Sequence, residues 1–268
     1  MSVVAHLEGQ DGFFTGFAFS DDELLRLRQI IHGQWIRTIE SKIGPAGATE
    51  FERVGMTGYH EKADLLDHQK SWPKVSRVLD AADVLEIRKM SLFMALEKEF
   101  GKFELSDEED FGRELIYWRL VRPGAADDVG PLHADAWFWE LGHGTTPAGY
   151  QRVKVWISIY LQEAVTGFIF VPGSHRTSTP YKAVTRHGMT KPQIGVDPAT
   201  LGAVPFRGKA GDAIVFHDKL LHGGEVGAGS TRVSLEFTIF VKNENYFGRV
   251  NTASAIASPS PTSGTPPQ

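Results

Sequence analysis

The chain has 268 residues, 41% of them apolar and 23% charged, which is ordinary globular usage and enough to bury a sizeable core. Its 28 basic and 33 acidic residues give a formal charge of −5 with no basic block, so no nucleic-acid partner is expected. The absence of cysteine excludes disulfides, iron–sulfur clusters and zinc–thiolate sites and fits a cytoplasmic setting; no run of 18 apolar residues offers a membrane span, and Met1 to Phe19 lacks the basic and apolar regions of a secretory signal.

Ser20-Asp-Asp-Glu23 has the spacing of a capping box, in which the hydroxyl caps the helix start and the carboxylate three residues on reaches back. Leu24, Leu27, Ile31 and Trp35 then recur at helical spacing, which predicts a helix from Asp21 to Glu40. The Gly- and Pro-containing run Ile43 to Thr49 predicts a loop. A second helical region is expected from Pro73, with Ile87, Met90 and Met94 on one face and Gly101 as its stop. The acidic cluster Asp107 to Asp110 reads as a solvated loop. From Leu115 the character changes to short Val-, Ile-, Phe- and Trp-rich runs between turns. Strands are predicted at 115–122, 131–139, 152–161, 166–171, 213–217 and 231–241.

Helices first and then many short strands predict a mainly β fold with flanking helices, a sandwich or barrel of jelly-roll type. The expected organisation is one domain over residues 1–250, helical over residues 1–114 and with a β core over residues 115–242. Residues 251–268 carry four prolines, many Ser and Thr and one large apolar residue, so a disordered tail is expected there.

The chemistry-bearing segment is Pro131-Leu-His133-Ala-Asp135-Ala-Trp-Phe-Trp139. On a strand, residues i and i+2 share a face, so His133 and Asp135 are expected to converge on one ion. Trp137 and Trp139 continue that face as candidate walls of a substrate pocket, or simply as core. A third ligand must come from elsewhere, and the segment Gly211-Asp to His222-Gly offers His217 and His222. Two histidines and one carboxylate form the facial triad of non-haem Fe(II) oxygenases, which leaves three coordination positions open. Such iron needs a two-electron co-reductant. 2-Oxoglutarate binds through its keto oxygen and nearer carboxylate, and its far carboxylate requires a cation. Arg232, ten residues past His222, offers a planar fork for it, and Ser234 two residues on can add a hydrogen bond.

His133-Ala-Asp135, the Pro172-Gly-Ser-His-Arg176 turn, the Gly211-Asp to His222-Gly stretch and Arg232-Val-Ser234 together resemble the phytanoyl-CoA dioxygenase family over Leu115 to Phe240. The resemblance implies a cupin-like double-stranded β-helix, Fe(II), and 2-oxoglutarate and O2 as cosubstrates, with release of succinate and CO2. It places the third ligand at the histidine followed by glycine, His222, and makes Trp156 a candidate wall of the cosubstrate pocket. Many relatives carry Asn-Gly before the Pro-Gly-Ser-His turn, where this chain has Thr166-Gly167. The implied activity is hydroxylation of a small organic molecule. Desaturation, epimerisation or ring closure by the same cofactors, or a non-catalytic binding module, are the alternatives, and intact Asp135 and Arg232 disfavour the last. His175 reads as structural, His143 as an exposed loop residue, and His6, His32, His60, His68 and His187 as surface residues. Glu140 and Lys154 read as members of solvated faces, with contact to a polar substrate group as the alternative.

Overall fold

A computed structural model describes residues 2–161, 165–186 and 189–248 of the chain, so the expectations for the tail and for His187 fall outside the described residues. In chain order the elements are α1 (Val3–Glu8), β1 (Phe13–Ala18), α2 (Asp21–Val54), α3 (His68–Ser71), α4 (Ala81–Ile87), α5 (Ser91–Phe100), β2 (Phe103–Leu105) and β3 (Tyr117–Val121). There follow α6 (Asp135–Glu140), β4 (Tyr150–Tyr160), β5 (Val165–Phe170), β6 (Tyr181–Arg186), β7 (Met189–Ile194), β8 (Val204–Arg207), β9 (Asp212–His217), β10 (His222–Gly224) and β11 (Arg232–Lys242).

The capping box forms at Ser20 and Glu23, and α2 runs on from it. The loop expected at 43–49 is a single kink instead. Gly44 takes φ 78° and ψ 172°, and helix resumes at once because Pro45 is preset for a first helical turn. The region after Pro73 divides into α4 and α5, and Gly101 ends α5 at φ 73° with its N–H on the Glu97 carbonyl. Met94 is 59% exposed and not on the buried face, which Leu92, Phe93, Leu96 and Phe100 form.

Strands β1, β9, β4, β11 and β2 form an antiparallel sheet in that order, and β3 joins it by pairing with β11 beside β2. Strands β10, β5 and β8 form a second antiparallel sheet, and β6 with β7 a hairpin. The large sheet is covered on both faces. Val153, Val155, Ile157 and Ile159 of β4 pack in the cluster that holds Trp35, Ile39 and Phe51 of α2 and Leu92, Phe93 and Leu96 of α5. Trp156 of β4 and Ile214 and Phe216 of β9 pack against Phe168 and Phe170 of β5 and Phe206 of β8. The facing sheets, with helices outside the larger one, make a double-stranded β-helix, the jelly-roll architecture.

One predicted strand is overturned. Over 131–139 the backbone is extended only around His133, which forms an isolated bridge with His222, and α6 begins at Asp135. After that bridge the Ala136 N–H turns to the Asp218 carbonyl, 2.9 Å away, and the ladder ends. Trp137 and Trp139 therefore do not extend a common strand face. Trp137 stacks on Tyr181 at 4.7 Å, while Trp139 meets Phe240 edge-on and lies under the Arg152 guanidinium.

Candidate metal centre

The His133–His222 bridge carries both imidazoles to one place. Each backbone donates to the other, His133 N–H to His222 O at 2.9 Å and His222 N–H to His133 O at 2.8 Å, and the ring centroids stand 4.5 Å apart. The Nδ1 of His133 lies 2.7 Å from the Pro131 carbonyl and that of His222 lies 2.9 Å from the Leu220 carbonyl. A carbonyl only accepts, so each Nδ1 carries the proton and each Nε2 presents a lone pair. The turn into α6 delivers Asp135 to the same point, with Oδ1 3.4 Å from His133 Nε2 and Oδ2 3.7 Å from His222 Nε2. Among the described residues this is the one group of three or more His, Asp or Glu side chains placed to hold a metal ion, its donor atoms all within 4.8 Å of one another.

Protonation states suit that role. Burial pushes the His222 pKa down to about 4, against the opposing pull of Asp135, so the imidazole is neutral near pH 7. Burial acts to raise the Asp135 pKa, but Lys154, His222 and His133 outweigh it and hold the carboxyl well below its usual range. Two imidazoles and a carboxylate are the donor set that a divalent first-row metal such as Fe(II) accepts.

Two corrections to the sequence expectations meet here. Lys154 is 4% exposed, not solvated. It projects from β4 into the space between the sheets, with Nζ 3.1 Å from Asp135 Oδ2 and 2.8 Å from Thr238 Oγ1. The acidic cluster is likewise not a solvated loop throughout. Glu108 turns inward, accepts from Thr238 at 2.6 Å, pairs with Lys74 at 2.8 Å and lies 3.6 Å from Lys154. Three aromatic rings around the histidines also escape a reading of the sequence. Phe138 meets His133 edge-on at 5.3 Å, while Phe168 stacks on His222 at 5.4 Å and Phe216 approaches it at 4.7 Å. Alternating positions on β5 and β9 are the available signal for Phe168 and Phe216. Phe138 has none, since its orientation follows from the helix.

Arg232 and Ser234 point from β11 to the same side as Trp156, Lys154 and Ser158 of β4, because Ser234 pairs with Ser158, Glu236 with Trp156 and Thr238 with Lys154. Arg232 is 4% exposed. Its Nη2 donates to the Glu225 carbonyl, while its Nη1 is buried without a partner. Gly167 makes the room for it, since a Cβ there would collide with Nη1. Gly167 is one residue from Phe168, whose ring lies on His222, so the arginine and the triad are joined through β5. Trp156 contacts Phe168 at 5.1 Å and Phe206 edge-on at 6.2 Å, on the wall of the same interior. The Thr166 hydroxyl donates to the Phe206 carbonyl at 2.7 Å and so braces β5 against β8.

The remaining histidines sort themselves. His217 pairs with Asp218 at 3.1 Å, and its ring lies 5.3 Å from His175, outside the triad. His143 Nε2 meets the Thr190 carbonyl. His60 and His68 are not free surface residues. His60 hydrogen-bonds Thr231, and His68 bonds Tyr59 and pairs with Asp128. Trp137 lines a separate cavity of about 320 Å³ with Tyr181, Arg176 and Lys219, and none of the triad lines it.

Comparison with known proteins bears on the fold and the family. No curated protein matches the chain. The structure resembles a non-haem monooxygenase, ThoJ, at 16% identity and a TM-score of 0.51, covering 90% of this chain and 77% of that one. It also resembles EvdO2 from Micromonospora carbonacea var. aurantiaca at 15% identity and a TM-score of 0.51, covering 90% of both chains. EvdO2 complexed with 2-oxoglutarate gives the same score over 89% of each chain. At these identities the likeness is one of fold. The phytanoyl-CoA dioxygenase family model matches residues 49–230, a span that holds His133, Asp135 and His222 and ends two residues before Arg232. The chain belongs to the phytanoyl-CoA dioxygenase family of Fe(II)- and 2-oxoglutarate-dependent oxygenases.

Proposed function

We propose that this oxygenase hydroxylates a small organic molecule, with His133, Asp135 and His222 as the iron ligands and Arg232 as the anchor of the far carboxylate of 2-oxoglutarate. The observation that carries the reading is the pairing of two features on one interior. Three donors converge within 4.8 Å, and a buried guanidinium nearby keeps one nitrogen without a partner. A buried cation with a free donor is costly unless an anion completes it, and a carboxylate matches the fork.

Iron held there supplies O2 activation, with 2-oxoglutarate as the two-electron reductant that leaves as succinate and CO2. The residues of the chain set the conditions. The Pro131 and Leu220 carbonyls orient the imidazoles. Arg232 fixes the cosubstrate's remote end, and Ser234 on the same face adds a hydroxyl beside it. Trp156, Phe168 and Phe216 wall the space with apolar surface, which limits water and strengthens each charge interaction inside. Phe138 packs edge-on against His133 and holds its ring in place.

The test is a substrate screen read by succinate formation and product mass under Fe(II), 2-oxoglutarate and air. A product heavier by one oxygen is expected. Succinate release with a product two hydrogens lighter would replace hydroxylation by desaturation or ring closure. No iron binding would remove the reading altogether.

A further inference from the structure

A carboxylate has two oxygens, and a metal can take one or both. If Asp135 bound through both, it would fill one of the positions that a three-ligand site must leave for 2-oxoglutarate and O2. The environment of its two oxygens is unequal. Oδ2 lies 3.7 Å from His222 Nε2 but is taken at 3.1 Å by the Lys154 ammonium, whereas Oδ1 faces His133 Nε2 at 3.4 Å with no other cation beside it among the described residues. Lys154 is itself fixed from behind. Thr238 Oγ1 accepts from it at 2.8 Å, and Glu108 Oε1 lies 3.6 Å away. Glu108 is held in turn by Thr238 at 2.6 Å and by Lys74 at 2.8 Å. The result is a row of alternating charge, Lys74, Glu108, Lys154, Asp135, that runs from a half-buried lysine outside the metal centre through the buried Lys154 to one oxygen of Asp135. Taking the Lys154 ammonium out of water is expensive unless it is paired, and here it is paired on both sides, by Asp135 and by Glu108.

We propose that Lys154 is a positioning residue for Asp135. Its ammonium holds one carboxylate oxygen away from the metal, so the group donates through the other alone and leaves room for 2-oxoglutarate. The inference rests on the proposed iron site. It assigns Lys154 no contact with substrate and no proton transfer. Its role is geometric, since an ammonium hydrogen bond to a carboxylate is short, directional and strong in a site that excludes water.

The experiment compares the wild type with Lys154→Met, a linear side chain without charge, and with Thr238→Val, which keeps shape but removes the hydroxyl that anchors the ammonium. Anaerobic titration gives Fe(II) affinity. 2-Oxoglutarate added to the iron-loaded protein then gives cosubstrate affinity and the position of the visible iron-to-cosubstrate band. In Lys154→Met, iron affinity should stay within about threefold, 2-oxoglutarate affinity should fall by about tenfold or more, and the band should shift. Thr238→Val should weaken 2-oxoglutarate by about threefold with a smaller shift in the same direction. A role confined to stability would lower the melting temperature of the variants and leave both cosubstrate readouts alone. Wild-type cosubstrate affinity and an unshifted band in Lys154→Met overturn the proposal; if that variant does not fold, the same result in Thr238→Val does so. Failure of the iron site itself is distinguishable, because the wild type would then show no band.

Discussion

Each imidazole of the centre donates through Nδ1 to a main-chain carbonyl two residues before it, so the turn that places the histidine also fixes its tautomer. Replacing His133, Asp135 or His222 by Ala should abolish the anaerobic Fe(II)–2-oxoglutarate band, because two donors do not fix the metal. His217→Ala should keep it, since His217 pairs with Asp218 instead. Loss of the band in His217→Ala with retention in His222→Ala would reverse the assignment. Arg232→Ala should weaken 2-oxoglutarate by about 2–5 kcal/mol, the range for truncating one member of a buried charge pair, and Arg232→Lys should recover only a fraction of it. Gly167→Ala tests the same contact from the other strand. Its methyl would collide with Arg232 Nη1, and φ at this position is 87°, so the guanidinium or β5 must move. Cosubstrate affinity should fall toward the Arg232→Ala value while iron affinity holds, both read by calorimetry; unchanged affinity would place the far carboxylate elsewhere. That His133, Asp135 and His222 come together is foreshadowed by a combination of residue types that is rare in one chain, whereas the way they meet, through the His133–His222 bridge and the turn into α6, is not. The place of Lys154 is not legible either, because a lysine in a run of alternating residues looks solvated until the element that covers it is known.

At the scale of elements, legibility follows how many faces are buried. Strands β9 and β11 fall within a residue or so of their expected bounds, because continuous apolar runs bounded by turns are unambiguous. The segment 131–139 misleads because Trp137, Phe138 and Trp139 have high strand propensity, yet the Asp218 carbonyl captures the Ala136 N–H and Asp135 suits a first helical turn. The short strands β2, β8 and β10 have too few residues to show a period, and in β1 a register shift between Phe14 and Phe17 breaks the alternation. Composition alone misrepresents the loop between β2 and β3, since nothing local reveals that Glu108 meets two lysines from distant segments. That burial has a pH signature. Burial acts to raise the Glu108 pKa, but Lys154 and Lys74 outweigh it and bring it from 4.5 down to about 2. The unfolded chain therefore binds more protons than the folded one between those values. The stabilisation is fully present above about pH 4.5 and is lost as pH falls toward 2. Urea midpoints measured from pH 6 to pH 2.5 should fall less steeply for Glu108→Gln than for the wild type. Parallel curves would mean that Glu108 is not ionised inside the fold.

Across the whole molecule, the helices are more than an outer coat. One apolar cluster runs from Val3 and Leu7 of α1 through Trp35 and Phe51 of α2 to Val155, Leu235 and Phe237 of the large sheet and on to Tyr246. The opposite face of that sheet carries Trp156, Lys154, Arg232 and Ser234. Alternation along β4 and β11 means that each residue locked by the helices has neighbours in the chain that face the metal centre. A shift of the sheet on one side is therefore felt on the other, and the helical layer and the β core are expected to unfold as one unit. Trp35, fully buried in the helical layer, is the sharpest probe. Trp35→Ala should cost about 3–5 kcal/mol, the usual range for emptying a buried aromatic site. Because Trp35 has no role in the metal centre, any loss of the iron–cosubstrate band on heating must pass through the shared core. In the variant, the far-ultraviolet signal of the helices and the visible band should fall together, at one lowered temperature. If the helical signal melts first and the band survives, the two layers are separable, and the helices do not hold the centre in place.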